Sequence, residues 1–379
     1  MNKRVVAILA VLAAVIGAAA LYTRQREETA RPAPVAQLGQ KLFKDLKADA
    51  IARIVIRAPA ATLTLEKYGQ GWIIRERNGF PADLGKIKDL VVKAIEFRIG
   101  QVVPIGADDR ARLQLLSPGD GKAAPAARAT TISFQATDGK QLGALLVGKK
   151  YFKNETAADS PHAQADGRFV MLPEDQQHAF IVSDPLTQAS AASADWISRD
   201  GFAIERIKSI EVKPAEGTGY KIERGTDHGA WKFSGAKGGA HVDASKANSA
   251  AFDLGGVTVD DVAAPGADLG QEHPTQVTAT TFDGLTYTLR LGQLKGDRYP
   301  LRVEVAGQLK REFAPRKDEK PDAAAKRKKT FNDELAHVQQ RLVRERALKD
   351  YVLLVDKSKF IDLLKSKNDL TEHTAQKKP

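Results

Sequence analysis

The chain has 379 residues, 42% hydrophobic and 28% charged, which is enough apolar material for two ordinary cores and excludes a disordered polyelectrolyte. It has no cysteine, so a disulfide framework, a thiol nucleophile and a thiolate metal site are all excluded. The formal net charge of +11 fits an anionic partner; a basic background plus one basic insertion fits it too and is preferred, because net charge specifies partners weakly.

Lys3 and Arg4 precede an uncharged apolar run, Val5–Tyr22. At about 1.5 Å per residue it spans roughly 27 Å, close to a bilayer's hydrocarbon core. A cleaved signal peptide is the rival, since Gly17–Ala20 offers small residues, but cleaved apolar cores are usually shorter. An uncleaved anchor over 1–26 is therefore expected. With no cysteine after the run, a lipoprotein anchor is excluded. Basic residues flank both sides, so the positive-inside count does not orient the chain. The signal-like start places the body outside the cytoplasm, on a bacterial inner membrane. Residues 27–44, with Pro32 and Pro34, read as a tether.

The body starts with β-like runs at Ile51–Ala58, Ala61–Gly69 and Gly71–Arg77. Asp83 can cap a helix whose apolar positions are Leu84, Ile87, Leu90, Val91, Ala94 and Ile95, a 3.6-residue spacing. A strand around Gln101–Ile105 follows, then "LQLLSP" at Leu113–Pro118 and two alternating runs about Asp138-Gly139. Asp-Gly between alternating runs signals a hairpin, because both residues tolerate positive φ. Phe169–Phe180 reads as a strand followed by a short helix.

From Phe202 the same order returns. Three short β-like runs lead to Asp243 and a helical stretch, then "GVTVDDV", "LGQEHP" and a hairpin about Asp283-Gly284. Trp72 answers Trp231, Asp83 answers Asp243, and the stretch from Phe169 answers the one from Tyr351. The expected fold is α+β: two tandem related repeats of antiparallel strands with packed helices, over 45–200 and 201–367, after one transmembrane helix. Residues 368–379 are expected to be a flexible tail. The paired tryptophans are expected to be packing positions, each burying on the order of 200 Å².

An insertion at 306–349 interrupts the second repeat. Lys310, Arg311, Arg316, Lys317, Lys326, Arg327, Lys328 and Lys329 are candidate contacts for an anionic partner. Phe331, Leu335, Val338 and Leu342 follow at spacings that make one narrow apolar stripe on a helix. The stripe can pack on its own domain, or it can be a partner-docking face beside acidic headgroups, where each basic residue is worth about 1 kcal/mol.

Motifs for chemistry are missing. "GQGW" and "GTGY" lack the third glycine of a dinucleotide fingerprint and precede strands, not helices. The seven histidines, at 162, 178, 228, 241, 273, 337 and 373, contain no His-Glu-x-x-His pattern and no pair on one helical turn. There is no Gly-x-Ser-x-Gly elbow. No catalytic residue, cofactor or metal is expected, and nucleic-acid binding lacks a recognisable module.

The stretch "LTLEKYGQGWIIRERNGFPADLGKIKDLVVKAIEFR", then "LQLLSP" and the Asp-Gly hairpin, resembles the bacterial domain-of-unknown-function family 4340. The likeness covers most of 45–365 outside the charged insertion. It implies an envelope protein with one amino-terminal membrane segment, encoded beside ABC-transporter components of the gliding-motility type. It brings no catalytic residues. Three readings follow: a non-catalytic scaffold or accessory subunit of such a transporter, a binding module for acidic lipid or a wall polyanion, and an envelope enzyme that no motif supports.

Overall fold

A computed structural model describes residues 39–154, 164–235, 241–267, 269–270, 272–309, 312–317 and 319–372. The expected anchor, Val5–Tyr22, lies outside them, as do Lys310 and Arg311. Among the described residues no helix is long and apolar enough to cross a membrane.

The fold is α+β, with two antiparallel sheets and a few helices. Chain contacts define two units: unit 1 runs to Arg75 and resumes at Leu84–Trp196, and unit 2 holds Glu76–Asp83 and the chain from Ile197.

In unit 1 the strands are β1 (Arg53–Arg57), β2 (Thr62–Tyr68), β3 (Gly71–Ile74), β5 (Gln101–Pro104), β6 (Thr130–Gln135), β7 (Gln141–Tyr151), β8 (Gly167–Met171) and β9 (His178–Val182). A two-residue strand between β3 and β5, β4 (Phe80–Pro81), falls in the unit 2 segment. Within unit 1 the order is β3-β2-β1-β6-β7-β8-β9-β5. Alternation decides which face is buried: Ile54, Ile56, Leu63, Leu65, Ile132 and Phe134 are all at most 1% exposed, while Val55, Thr131, Ser133 and Gln135 between them are half-buried. Helix α1 (Leu84–Glu96) supplies the matching stripe, with Ile87, Leu90, Val91 and Ala94 buried.

Unit 2 contains β10 (Ile207–Lys213), β11 (Tyr220–Glu223), β12 (Lys232–Phe233), β13 (Asp261–Val262), β14 (Thr275–Thr281), β15 (Leu285–Leu291), β16 (Arg298–Gly307) and β17 (Leu353–Asp356). Their order, β12-β11-β10-β14-β15-β16-β17-β13, has the same sequence of crossovers as unit 1. Of the remaining helices, α2 (Ala107–Arg112) lies in unit 1, and α3 (Ala244–Asp253) and α4 (Pro321–Arg346) in unit 2. Asp243 caps α3, its carboxylate accepting from the amides of Ser245 and Lys246 at 3.0 and 3.2 Å. Both Asp-Gly pairs join paired strands, with φ of +84° at Gly139 and +83° at Gly284.

Several expectations need correction. The stretch Phe169–Phe180 is a strand pair, β8 and β9, because Pro173 and the polar residues 174–177 make a turn and the apolar residues that follow extend as a strand. Strand order then places β16, not β17, where unit 1 has β8. The insertion that carries α4 therefore falls between β16 and β17, at the place in the strand order where unit 1 has the short turn between β8 and β9. Leu42 and Phe43, read as tether, are buried. Leu370, read as tail, is fully buried, and its carbonyl accepts from Asp243 N at 2.9 Å. The segment Glu76–Asp83 leaves the first repeat's expected span for a physical reason. The Arg77 guanidinium donates to Asp261 at 3.2 and 3.4 Å, and the Phe80 ring meets Tyr351 edge-on at 4.9 Å. Trp231 is buried, donates to Asn248 Oδ1 at 2.9 Å and carries the Arg224 guanidinium 4.7 Å above its ring. Trp72 is only half-buried, so the two tryptophans do not share one packing role. The most buried of the three is Trp196.

The Leu113–Pro118 motif is a helix stop. After α2, Leu115 N donates to Arg110 O at 2.7 Å and Gln114 N to Ala111 O at 3.1 Å, with Gln114 at φ +57°. That is the six-to-one and five-to-two pattern of a Schellman ending, with a left-handed residue where glycine is usual. The ending lodges Leu113 and Leu115 in a small cluster with Ala129, Leu146, Met171 and Ala179. Gly148 lets it come close, because a Cβ there would lie 2.4 Å from Leu113 O and 2.7 Å from Leu115 Cδ2. Gly148→Ala is therefore expected to destabilise unit 1 by about 1–3 kcal/mol, the usual range for overpacking, read by chemical denaturation of the full chain.

Candidate functional site

Two places combine concavity or charge with chemistry-bearing side chains. The first is a cleft of about 680 Å³ on the face of the unit 1 sheet opposite its main core. Its floor follows from register. Arg57, Thr131, Leu146 and Met171 form one cross-strand row, and Val55, Ser133 and Ala144 form the next. Leu116, Ser117, Pro118 and Asp120 of the motif loop make one wall, and Arg110 and Gln176 close another. Arg110 Nη1 donates to Gln176 Oε1 at 2.6 Å, while its buried Nε has no acceptor. Asp120 is the one acid among the lining residues. On the corresponding face of unit 2 one row is Glu211, Thr278, Thr288 and Glu304 and the next is Lys213, Gln276, Arg290 and Arg302, so that face carries charges of both signs.

The second place is α4. Arg316, Lys317, Lys326, Lys328 and Lys329 are exposed. Arg327 is half-buried, donates to Glu319 Oε2 at 2.6 Å and stands 5.2 Å from the Phe313 ring centroid. Of the described candidate contacts for an anionic partner, Arg327 is neutralised locally, and Phe313 meets Phe331 with ring centroids 5.9 Å apart. Phe331, Leu335 and Val338 are half-buried and line a small groove of about 190 Å³ with Phe282, Asp283 and Leu309. Leu342 is buried on β16, where a Cβ at Gly307 would lie 2.8 Å from Leu342 Cδ2. The stripe thus faces its own domain, tightly at its carboxyl end and loosely at its amino end.

The tight end holds charges that a hydrophobic-stripe reading misses. Arg341 is 4% exposed and Glu345 fully buried. Arg341 Nη1 donates to Glu205 at 2.7 Å and Nη2 to Asp283 at 3.3 Å; Arg206 donates to the other Asp283 oxygen at 2.5 Å. Glu345 Oε2 accepts from the Tyr287 hydroxyl at 2.7 Å. Its Oε1 lies 3.5 Å from Arg344 Nη2, within ion-pair range but without a hydrogen bond. Burial pushes the Glu345 carboxyl above its ordinary 4.5, against the downward pull of Tyr287 and Arg341. The signal was present: Val338, Arg341, Leu342 and Glu345 continue the stripe at helical spacing.

A raised folded value means that the folded state holds the Glu345 proton more tightly than the unfolded chain does. Its contribution to stability therefore grows as pH falls from the raised value towards 4.5 and is lost as pH rises. Glu345→Gln is expected to flatten that part of the pH dependence of unit 2. Urea midpoints of the full chain at pH 7 and pH 5 check this; an unchanged slope contradicts it.

A family model, Domain of unknown function (DUF4340), matches residues 72–276, more than half of the chain. The chain belongs to the DUF4340 family. The match is narrower than the 45–365 expected from the sequence, but it takes in α1, the motif loop and most of the cleft's lining. No curated protein and no solved structure matches the chain. Among the described residues no group of three or more His, Asp or Glu side chains is placed to hold a metal ion.

Proposed function

We propose that this DUF4340 protein is a non-catalytic, membrane-anchored binding or scaffold protein of the bacterial envelope, an accessory subunit beside ABC-transporter components. The observation that carries the reading is α4. A 26-residue helix falls where unit 1 has a short turn, is clamped at one end by buried charges and offers exposed lysines at the other. An element held so specifically and exposed so widely suits protein contact better than it suits catalysis. The apolar run Val5–Tyr22 supports anchoring to the inner membrane, with the body outside the cytoplasm. We further propose that the two units arose by duplication; their common strand order supports this. A photo-crosslinking residue at Lys329 in native membranes is expected to capture a transporter subunit. Adducts confined to the protein itself would count against the reading.

A second reading, binding of acidic lipid or a wall polyanion, is favoured by the exposure of Lys326, Lys328 and Lys329. At about 1 kcal/mol per basic residue, neutralising all three to glutamine should weaken binding to phosphatidylglycerol vesicles by roughly two orders of magnitude at low salt. Salt-independent binding would sink it.

A further inference from the structure

The cleft on the open face of unit 1 lies apart from α4 and calls for a ligand of its own. We propose that it binds a single-chain amphiphile with an anionic head, a fatty acid or a lysophospholipid. This goes beyond the scaffold reading and does not depend on it.

Chemistry narrows the choice. The floor and walls offer half-buried Val55 and Leu116 beside the largely covered Leu146 and Met171, an apolar strip suited to an acyl chain, with methionine the most adaptable of the four. Its volume of about 680 Å³ lies inside the roughly 300–1,000 Å³ usual for small-ligand sites. No aromatic side chain lines it, so a sugar ring or nucleobase has nothing to stack on. Strands β1, β6 and β7 are each paired on both sides, which leaves no free edge for an added peptide strand. Arg57 is exposed at the end of β1, and Arg110 carries a buried Nε that donates to nothing in the protein. Two guanidinium groups against the single carboxylate of Asp120 favour an anionic head. A carboxylate or phosphate oxygen accepts from Arg57 and from the outer guanidinium nitrogens of Arg110, while the chain lies along Val55, Leu116 and Leu146.

The test uses the full chain in lipid nanodiscs with three diazirine-tagged dodecanoyl probes: the fatty acid, its lysophosphatidylglycerol and its neutral monoacylglycerol. The expected result is saturable labelling of the peptides around Leu113–Asp120 and Leu146 by an anionic probe, at least tenfold above the neutral one. Labelling by the fatty acid alone identifies a carboxylate ligand, and labelling by the lysophospholipid alone a phosphate ligand. Ser133→Trp, which fills the floor, and Arg57→Glu, at an exposed position, should each reduce labelling about tenfold without changing hydrogen exchange of β6 and β7. Affinity should rise roughly fourfold per methylene between eight and twelve carbons, the value of about 0.8 kcal/mol for each one buried. Equal labelling by the neutral probe, labelling away from the cleft, or no effect of either substitution overturns the proposal.

Discussion

A full chain carrying Arg341→Ala is expected to lose about 3 kcal/mol of unit 2 stability. Removing one partner from a buried ionic group typically costs about 3–5 kcal/mol, because the remaining charge stays desolvated. The low end applies here for two reasons. Asp283 keeps Arg206 at 2.5 Å, and the Glu205 side chain is 55% exposed and can be rehydrated. Glu345 fares worse: it loses the attraction of Arg341 and keeps the Tyr287 hydroxyl on Oε2 and the exposed Arg344 guanidinium 3.5 Å from Oε1. The signature is local. Amides of β15 and β16, which α4 covers, should exchange about a hundredfold faster, since each 1.4 kcal/mol is a factor of ten. Amides of β1 and β6 should not change. Arg341→Met keeps the aliphatic packing and separates the charge from the stem.

Leu115→Ala is the corresponding probe of unit 1, with an expected loss of about 2–5 kcal/mol. Leu115 is 1% exposed and is the pivot of the cluster that seats the motif loop on β7 and β8. A cavity there cannot collapse easily: on one side is the Schellman ending of α2, and on the other the close approach of Gly148. Because Leu115 also lines the cleft, its truncation should loosen the wall that bears Leu116, Ser117 and Pro118. Hydrogen exchange at 113–120 should rise along with that of β7. A stability change without loosening of the loop would mean that the loop is held by something other than this leucine.

Much of the architecture is legible in the sequence where one residue type has one physical role. Asp243 reads as a cap because its carboxylate has amides within reach, and the Asp-Gly pairs read as hairpins because the glycines need positive φ. The periodic run Ile87–Ala94 reads as a buried helix face. Legibility ends where context reassigns a role. Arg341 and Glu345 look like solvated charges until the stripe is seen to carry them inward. Residues 172–177 look like a helix start, but the apolar run after them is needed as a ladder strand. The cleft was hidden for another reason. Its floor consists of the residues skipped when the buried positions are picked out of β1 and β6, and register, which only pairing fixes, brings Arg57, Thr131 and Leu146 together. Leu113–Pro118 was visible as a motif, yet its work as a helix ending depends on the left-handed Gln114, a conformation that glutamine does not advertise.

The central proposal is that this chain acts through protein contacts at the membrane. The most direct measurement is affinity purification of the full chain from detergent-solubilised native membranes at physiological ionic strength, with co-purifying proteins identified and quantified. The proposal predicts ABC-transporter subunits in near-stoichiometric amount, depleted when Lys326, Lys328 and Lys329 are changed together to glutamate. Recovery of the protein alone, at the same yield with and without those substitutions, would contradict it.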